Sequence, residues 1–127
     1  MIYGIGTDIV RVARMQKNLE RFGDRFAQRL LTDNELNDFA AVSNPAHFLA
    51  KRFAAKEAAA KAMGTGFRGG ISMRQIGVGH DGIGKPQLEF TGSAAAFLEQ
   101  HGINAVHISL ADEADHAVAF VTLGCES

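Results

Sequence analysis

The sequence predicts a small α+β fold forming a single domain over residues 1–127, with antiparallel strands, one long central helix and several shorter helices. Three observations predict it. A stretch from Pro45 to Met63 has Pro at its first position, no Gly or Pro after it, and Gly64 as a terminator. Alternating apolar segments near both ends of the chain read as strands, with the turn dipeptide Asp81-Gly82 between two more. A length of 127 residues leaves room for one core.

In the first segment, residues 2–10, Tyr3, Ile5, Thr7 and Ile9 share one face of a strand, and Gly4, Gly6 and Asp8 share the other. Two glycines on the face of Asp8 leave space for another element to approach, so the acid is expected in a crevice. Helical periodicity follows from Val12 to Phe22, Gly23 is a stop, and residues 24–31 form a short helix. Thr32 and Glu35 match a capping box for a helix running to about Ala41.

In the long helix, Ala46, Leu49, Phe53, Ala60 and Met63 fall in one apolar stripe, with Glu57 and Lys61 along its border. Residues 73–78 and 85–90 read as a hairpin, and 93–101 as a helix ended by Gly102. Val106, Ile108 and Leu110 alternate in a strand. The last strand, Ala117 to Leu123, is so continuously apolar that burial on both faces is expected, the second by another subunit.

Composition narrows the function. Thirteen Lys and Arg against fourteen Asp and Glu argue against a general nucleic-acid binder held by phosphate neutralisation. No apolar run reaches membrane-spanning length, and no charged region precedes an apolar stretch and cleavage site at the N-terminus. With Cys125 as the single cysteine, no internal disulfide forms, and a cytoplasmic location is expected.

Asp8 alone reads as a helix cap, and Glu57 with Lys61 as a surface i, i+4 pair stabilising its helix by roughly 0.3–0.5 kcal/mol. Together, two carboxylates and a lysine suit a metallated phosphate, because magnesium takes one or two protein carboxylates and completes its shell with water and substrate phosphate. The lysine adds a compact positive charge for the remaining oxygens.

Gly79 to Lys85 resembles a phosphate-binding Walker A loop until Pro86 stands where a magnesium-binding hydroxyl is required. Gly64-Thr65-Gly66 and Gly69-Gly70 could expose backbone N–H groups to an anion, although glycine-rich loops are mostly flexible connections. His107 shares a strand face with Ser109. Arg14, Lys17 and Arg21 fall on one helical face, with Arg11, Arg25 and Arg29 nearby; the default reading is a solvated face, and the concentration of positive charge beside an adaptable Met15 favours a docking patch for an acidic partner.

Gly6-Thr7-Asp8-Ile9-Val10, Arg14, Phe53-Ala54-Ala55-Lys56-Glu57-Ala58 and Lys61-Ala62-Met63-Gly64-Thr65-Gly66 resemble the holo-acyl carrier protein synthases, a family of 4′-phosphopantetheinyl transferases. Gly84-Lys85-Pro86 and His107-Ile108-Ser109-Leu110 extend the similarity over nearly the whole chain. The resemblance implies a magnesium-dependent enzyme of fatty acid biosynthesis. Such enzymes move 4′-phosphopantetheine from coenzyme A to a serine of apo-acyl carrier protein and release adenosine 3′,5′-bisphosphate. It implies that Asp8 and Glu57 hold the metal, that Glu57 is the base and that Lys61 contacts phosphate and steadies the leaving group.

It further implies that Gly64, Gly66, Lys85, Pro86, His107 and Ser109 lie along coenzyme A, and that Arg14 and Arg21 meet the acidic helix of the carrier protein. A homotrimer with active sites between adjacent subunits is implied as well. One departure bears on His107, Ser109 and Asp112: many relatives carry a histidine where this chain reads Ala111-Asp112. Two other readings compete. A non-catalytic adaptor would use the arginine face alone, and a nucleotide-binding enzyme would use the Gly79 to Lys85 loop.

Overall fold

The computed structural model describes residues 1–127. A ten-residue strand, β1 (Ile2–Arg11), leads into helices α1 (Val12–Phe22), α2 (Asp24–Leu30) and α3 (Asp33–Phe39), then the long α4 (Pro45–Met63). A hairpin of β2 (Ile76–His80) and β3 (Pro86–Phe90) precedes α5 (Gly92–Gln100) and the pair β4 (Ala105–Asp112) and β5 (His116–Gly124). Antiparallel strands form a three-stranded sheet in the order β1-β5-β4 and the separate β2-β3 ribbon.

The breaks follow local chemistry. Gly23 takes a positive φ of 62° between α1 and α2. The Thr32 side chain accepts from the Glu35 N–H while the Glu35 carboxylate accepts from the Thr32 N–H, the reciprocal cap expected before α3. Asn44 caps α4, Pro45 opens it and Gly64 ends it in the left-handed conformation.

Several boundaries differ from the sequence reading. Residues 73–75 form a single 3-10 turn, so β2 starts at Ile76. The β2-β3 connection is a loop of residues 81–85, in which the Asp81 carboxylate accepts from the N–H groups of Ile83 and Lys85. Helix α3 stops at Phe39, short of Ala41.

The apolar stripe expected on α4 is buried except for Phe53, and burial extends beyond it around most of the helix. Ala46, Leu49, Ala50, Ala54, Ala55, Ala58, Ala59, Ala60, Ala62 and Met63 are buried, Arg52 and Lys56 with them, whereas Phe53 is only half-buried. An alanine-rich helix lets its neighbours approach its backbone on several sides, and α4 packs against β1, β5, α1 and β2.

In β5 one face is covered within the chain. Ala117, Ala119, Val121 and Leu123 are buried toward α4, while Phe120 on the other face is 46% exposed. Ile5 and Ile9 stand exposed on the same outer face, because Ile5 pairs with Thr122, Thr7 with Phe120 and Ile9 with Val118.

Candidate active site

The site is built where β1 crosses α4. A Cβ on Gly4 would lie 1.9 Å from the Ala62 carbonyl oxygen, and one on Gly6 1.8 Å from that of Ala58. Only glycine allows the strand to lie on the helix backbone at this distance. The next residue on that face is Asp8, which is thereby set beside the side chains that α4 projects at 57 and 61.

The three residues expected together are together. Lys61 Nζ donates to Asp8 Oδ1 and to the Thr7 carbonyl oxygen, each at 3.0 Å. The side chain of Lys61 is 53% exposed and that of Asp8 17%, so as an ion pair this contact contributes about 0–1 kcal/mol to stability. Burial and the neighbouring Asp8 charge push the Glu57 carboxyl above the ordinary carboxylate range, against the opposing pull of Lys61 and Arg14.

Two carboxylates whose charges repel form a hard, oxygen-only donor pair, and a divalent cation between them would remove that repulsion. No third His, Cys, Asp or Glu completes a metal cluster. Such an open pair fits magnesium, which draws its remaining ligands from water and phosphate, and does not fit the four-ligand shell of structural zinc.

The remaining nucleotide-site candidates fall in two further places. Gly64 lines a cavity of about 520 Å³ at the end of α4, with Thr65, Arg68, Ser93 and Phe97; Gly66 does not line it. Lys85, Pro86 and His107 share a cleft of about 330 Å³ between β3 and β4, without Ser109.

Register separates His107 and Ser109 from the carboxylates. Ser109 and Thr7 both pair with Phe120, and His107 pairs with Thr122, so these residues occupy the outer face of the sheet. Asp8 pairs with Ala119 and occupies the inner face against α4. Within one chain the sheet divides the two sets.

On α1, Arg14, Lys17 and Arg21 are exposed as a row, but Met15 is buried and supplies no surface contact. The apolar surface beside the row comes instead from a groove of about 440 Å³ lined by Phe22, Phe26, Leu30, Phe53 and Met73, with Arg25 and Arg29 at its rim. Arg14 lies over the Phe53 ring at 4.9 Å, which ties the row to α4.

Sequence reasoning missed other charged groups. Asp112, where the departure from the family pattern fell, is paired with His47 Nε2 near the start of α4. Lys56 and Arg52 are buried together with the capping residue Glu35, and no local signal marked that burial, because Lys-Arg-Phe-Ala-Ala-Lys-Glu reads as a helix surface. The Walker A resemblance is absent from the structure: Pro86 begins β3 rather than a helix, as Pro86 itself indicated.

Residues 4–121 match the model of the 4′-phosphopantetheinyl transferase superfamily, and the chain belongs to that superfamily. Its relatives there are holo-[acyl-carrier-protein] synthases. One from Neisseria meningitidis is 51% identical over 120 residues, spanning 94% of this chain and 96% of its own. Another, from Nitrosospira multiformis, is 52% identical over 97% of this chain and 98% of its own. The crystal structure of the Neisseria meningitidis enzyme superposes with a TM-score of 0.93 at 50% identity, covering 98% of this chain and 99% of that one. A Bacillus anthracis holo-(acyl-carrier-protein) synthase in complex with CoA (3′,5′-ADP) superposes at 0.83 with 38% identity, covering 99% of each chain.

Proposed function

We propose that this protein transfers 4′-phosphopantetheine from coenzyme A to a serine hydroxyl of apo-acyl carrier protein, releasing adenosine 3′,5′-bisphosphate, in the cytoplasm and in support of fatty acid biosynthesis. The observation that carries the reading is the convergence of Asp8, Glu57 and Lys61 at a glycine-relieved crossing of β1 and α4. Relatives at about half identity over nearly the full chain bear the name of that activity.

Asp8 and Glu57 would hold magnesium, which supplies charge neutralisation on the diphosphate when bound. Lys61 then turns from Asp8 toward the diphosphate oxygens, where its charge steadies the leaving group. Glu57 is the base that takes the proton from the serine hydroxyl, directly or through a water. Gly64 and Gly66 on one side, and Lys85, Pro86, His107 and Ser109 on the other, flank coenzyme A.

Because the sheet separates His107 and Ser109 from Asp8, the two flanks meet only if they come from different copies. The exposed Ile5, Ile9 and Phe120 give such copies an apolar contact face. A homotrimer with each active site shared between adjacent chains is therefore part of the proposal. Arg14 and Arg21 meet an acidic helix of the carrier protein, whose apolar side chains enter the groove beside Phe26 and Phe53.

Incubation with coenzyme A, magnesium and apo-acyl carrier protein should add the mass of one phosphopantetheine to the carrier. Binding of the carrier with no mass gain under these conditions would leave only the adaptor reading.

A further inference from the structure

One side chain closes the exposed connection between β2 and β3. Pro86 opens β3 and has no N–H to give to the ribbon, so the chain just before it must be held in another way. The Asp81 N–H donates to the Lys85 carbonyl oxygen at 2.9 Å, but the matching bond back is not made to the Asp81 carbonyl, whose oxygen accepts from the Gly84 N–H at 3.1 Å instead. The Asp81 carboxylate takes its place. Its Oδ1 accepts from the Lys85 N–H and from the Ile83 N–H, each at 2.9 Å. Every hydrogen bond within residues 81–85 therefore ends on Asp81.

These bonds order the backbone of Lys85 and leave its charge uncommitted. The N–H groups of Lys85, and after it Ile83, hold the Asp81 carboxyl below the usual carboxylate range. No carboxylate stands within ion-pair distance of the Lys85 ammonium, Asp81 and Glu89 included. Lys85 lines the cleft of about 330 Å³ that it shares with Pro86 and His107, whereas Asp81 does not.

We propose that Asp81 is a positioning residue for coenzyme A: by fixing the backbone of Lys85, it places the Lys85 ammonium at the cleft before the ligand arrives. The assignment rests on the proposed function, which puts Lys85 beside coenzyme A. A lysine on an unpinned loop would give up backbone freedom on binding, and ordering the loop beforehand removes that cost. Because Asp81 acts through Lys85 and not at Asp8 or Glu57, its loss appears in ligand affinity rather than in the chemical step.

Charge alone predicts the opposite sign, which makes the role testable. Coenzyme A is a polyanion, so deleting a nearby carboxylate would by electrostatics tighten its binding. Calorimetry and steady-state transfer on the intact protein compare the parent with Asp81→Ala, Asp81→Asn, Lys85→Ala and the Asp81→Ala/Lys85→Ala pair. Asp81→Ala should weaken coenzyme A binding and raise its KM tenfold or more, with kcat and the carrier KM within twofold. Asp81→Asn keeps an oxygen acceptor and should bind within threefold of the parent. Added to Lys85→Ala, the same Asp81→Ala change should cost less than threefold, since the group it positions is already gone.

Hydrogen exchange gives a readout that needs no ligand: the Ile83 and Lys85 amides should be protected in the parent and in Asp81→Asn, and exposed in Asp81→Ala. Unprotected amides in the parent would overturn the proposal. So would full additivity with Lys85→Ala, or an Asp81→Asn as weak as Asp81→Ala. The parent's own behaviour separates the two ways of failing. A parent that binds and transfers while Asp81→Ala matches it removes only the role of Asp81, and a parent that binds no coenzyme A removes the functional reading and this role with it.

Discussion

Gly6 on β1 and Ala58 on α4 approach so closely that a Cβ on the glycine would stand 1.8 Å from the alanine carbonyl oxygen. Backbone cannot retreat as a flexible side chain can, so Gly6→Ala must push the strand off the helix. A loss of about 1–3 kcal/mol or more is expected in urea unfolding. Transfer activity should fall more than the folded fraction does, because Asp8 moves with the strand. Gly82→Ala, with nothing within 4 Å of its Cβ, is the control and should change neither. Unaltered stability in Gly6→Ala would mean that the close crossing does not hold in solution.

Glu57 carries a pH signature. Its carboxyl is pushed up first by burial and then by Asp8, so ionising it disfavours the folded state relative to the unfolded chain. The penalty therefore builds as pH rises from the unfolded-state pKa of about 4.3 to the higher folded-state one, is fully present above that, and vanishes in acid, where both states are protonated. In the presence of chelator, Glu57→Gln should therefore melt higher than the parent at neutral pH and equally in acid. It should also lose about 10²–10⁴-fold in transfer. A variant that melts lower at neutral pH would show that Glu57 is a structural carboxylate.

The separation of legible from illegible features follows from range. Gly23, the Thr32/Glu35 box, Pro45 and Gly64 act within a few residues, so the helices they bound were readable from local chemistry. The glycine face of residues 4–8 was readable for the same reason, since alternation alone puts Gly4, Gly6 and Asp8 together. Which strand β5 would adjoin, and that Phe120 would face outward, depended on the register of three strands. That Arg52 and Lys56 would be buried against the capping carboxylate of Glu35 was not legible, because these groups look, in sequence, like any polar helix face.

Phe120 tests assembly. It lies on the central strand between Thr7 and Ser109, 46% exposed, so a charge there disrupts an intersubunit face while removing little from the core of its own chain. The parent should scatter light as a trimer, and Phe120→Glu as a monomer that still unfolds cooperatively. The monomer should be inactive, because its Asp8 and His107 lie on opposite faces of one sheet. A parent that is monomeric and active would overturn the shared site.

The arginine row divides into two functions that charge reversal can separate. Arg21 lies beside Phe22 on α1, with its guanidinium 5.1 Å from the ring, and does not perturb Glu57. Arg14 lies over Phe53 on α4, and its charge helps hold the Glu57 pKa down. Arg21→Glu should therefore raise KM for the carrier protein tenfold or more, because it turns steering into repulsion, while leaving kcat and coenzyme A affinity near parental values. Salt should reproduce that loss in the parent, since screening shortens to about 3 Å at 1 M. Arg14→Glu should raise the same KM and also move the acid limb of the pH-rate profile upward, because it exchanges an attractive charge near Glu57 for a repulsive one. Identical pH profiles for the two variants would show that Arg14 acts only at the docking face, and unchanged carrier KM in both would remove the docking face itself.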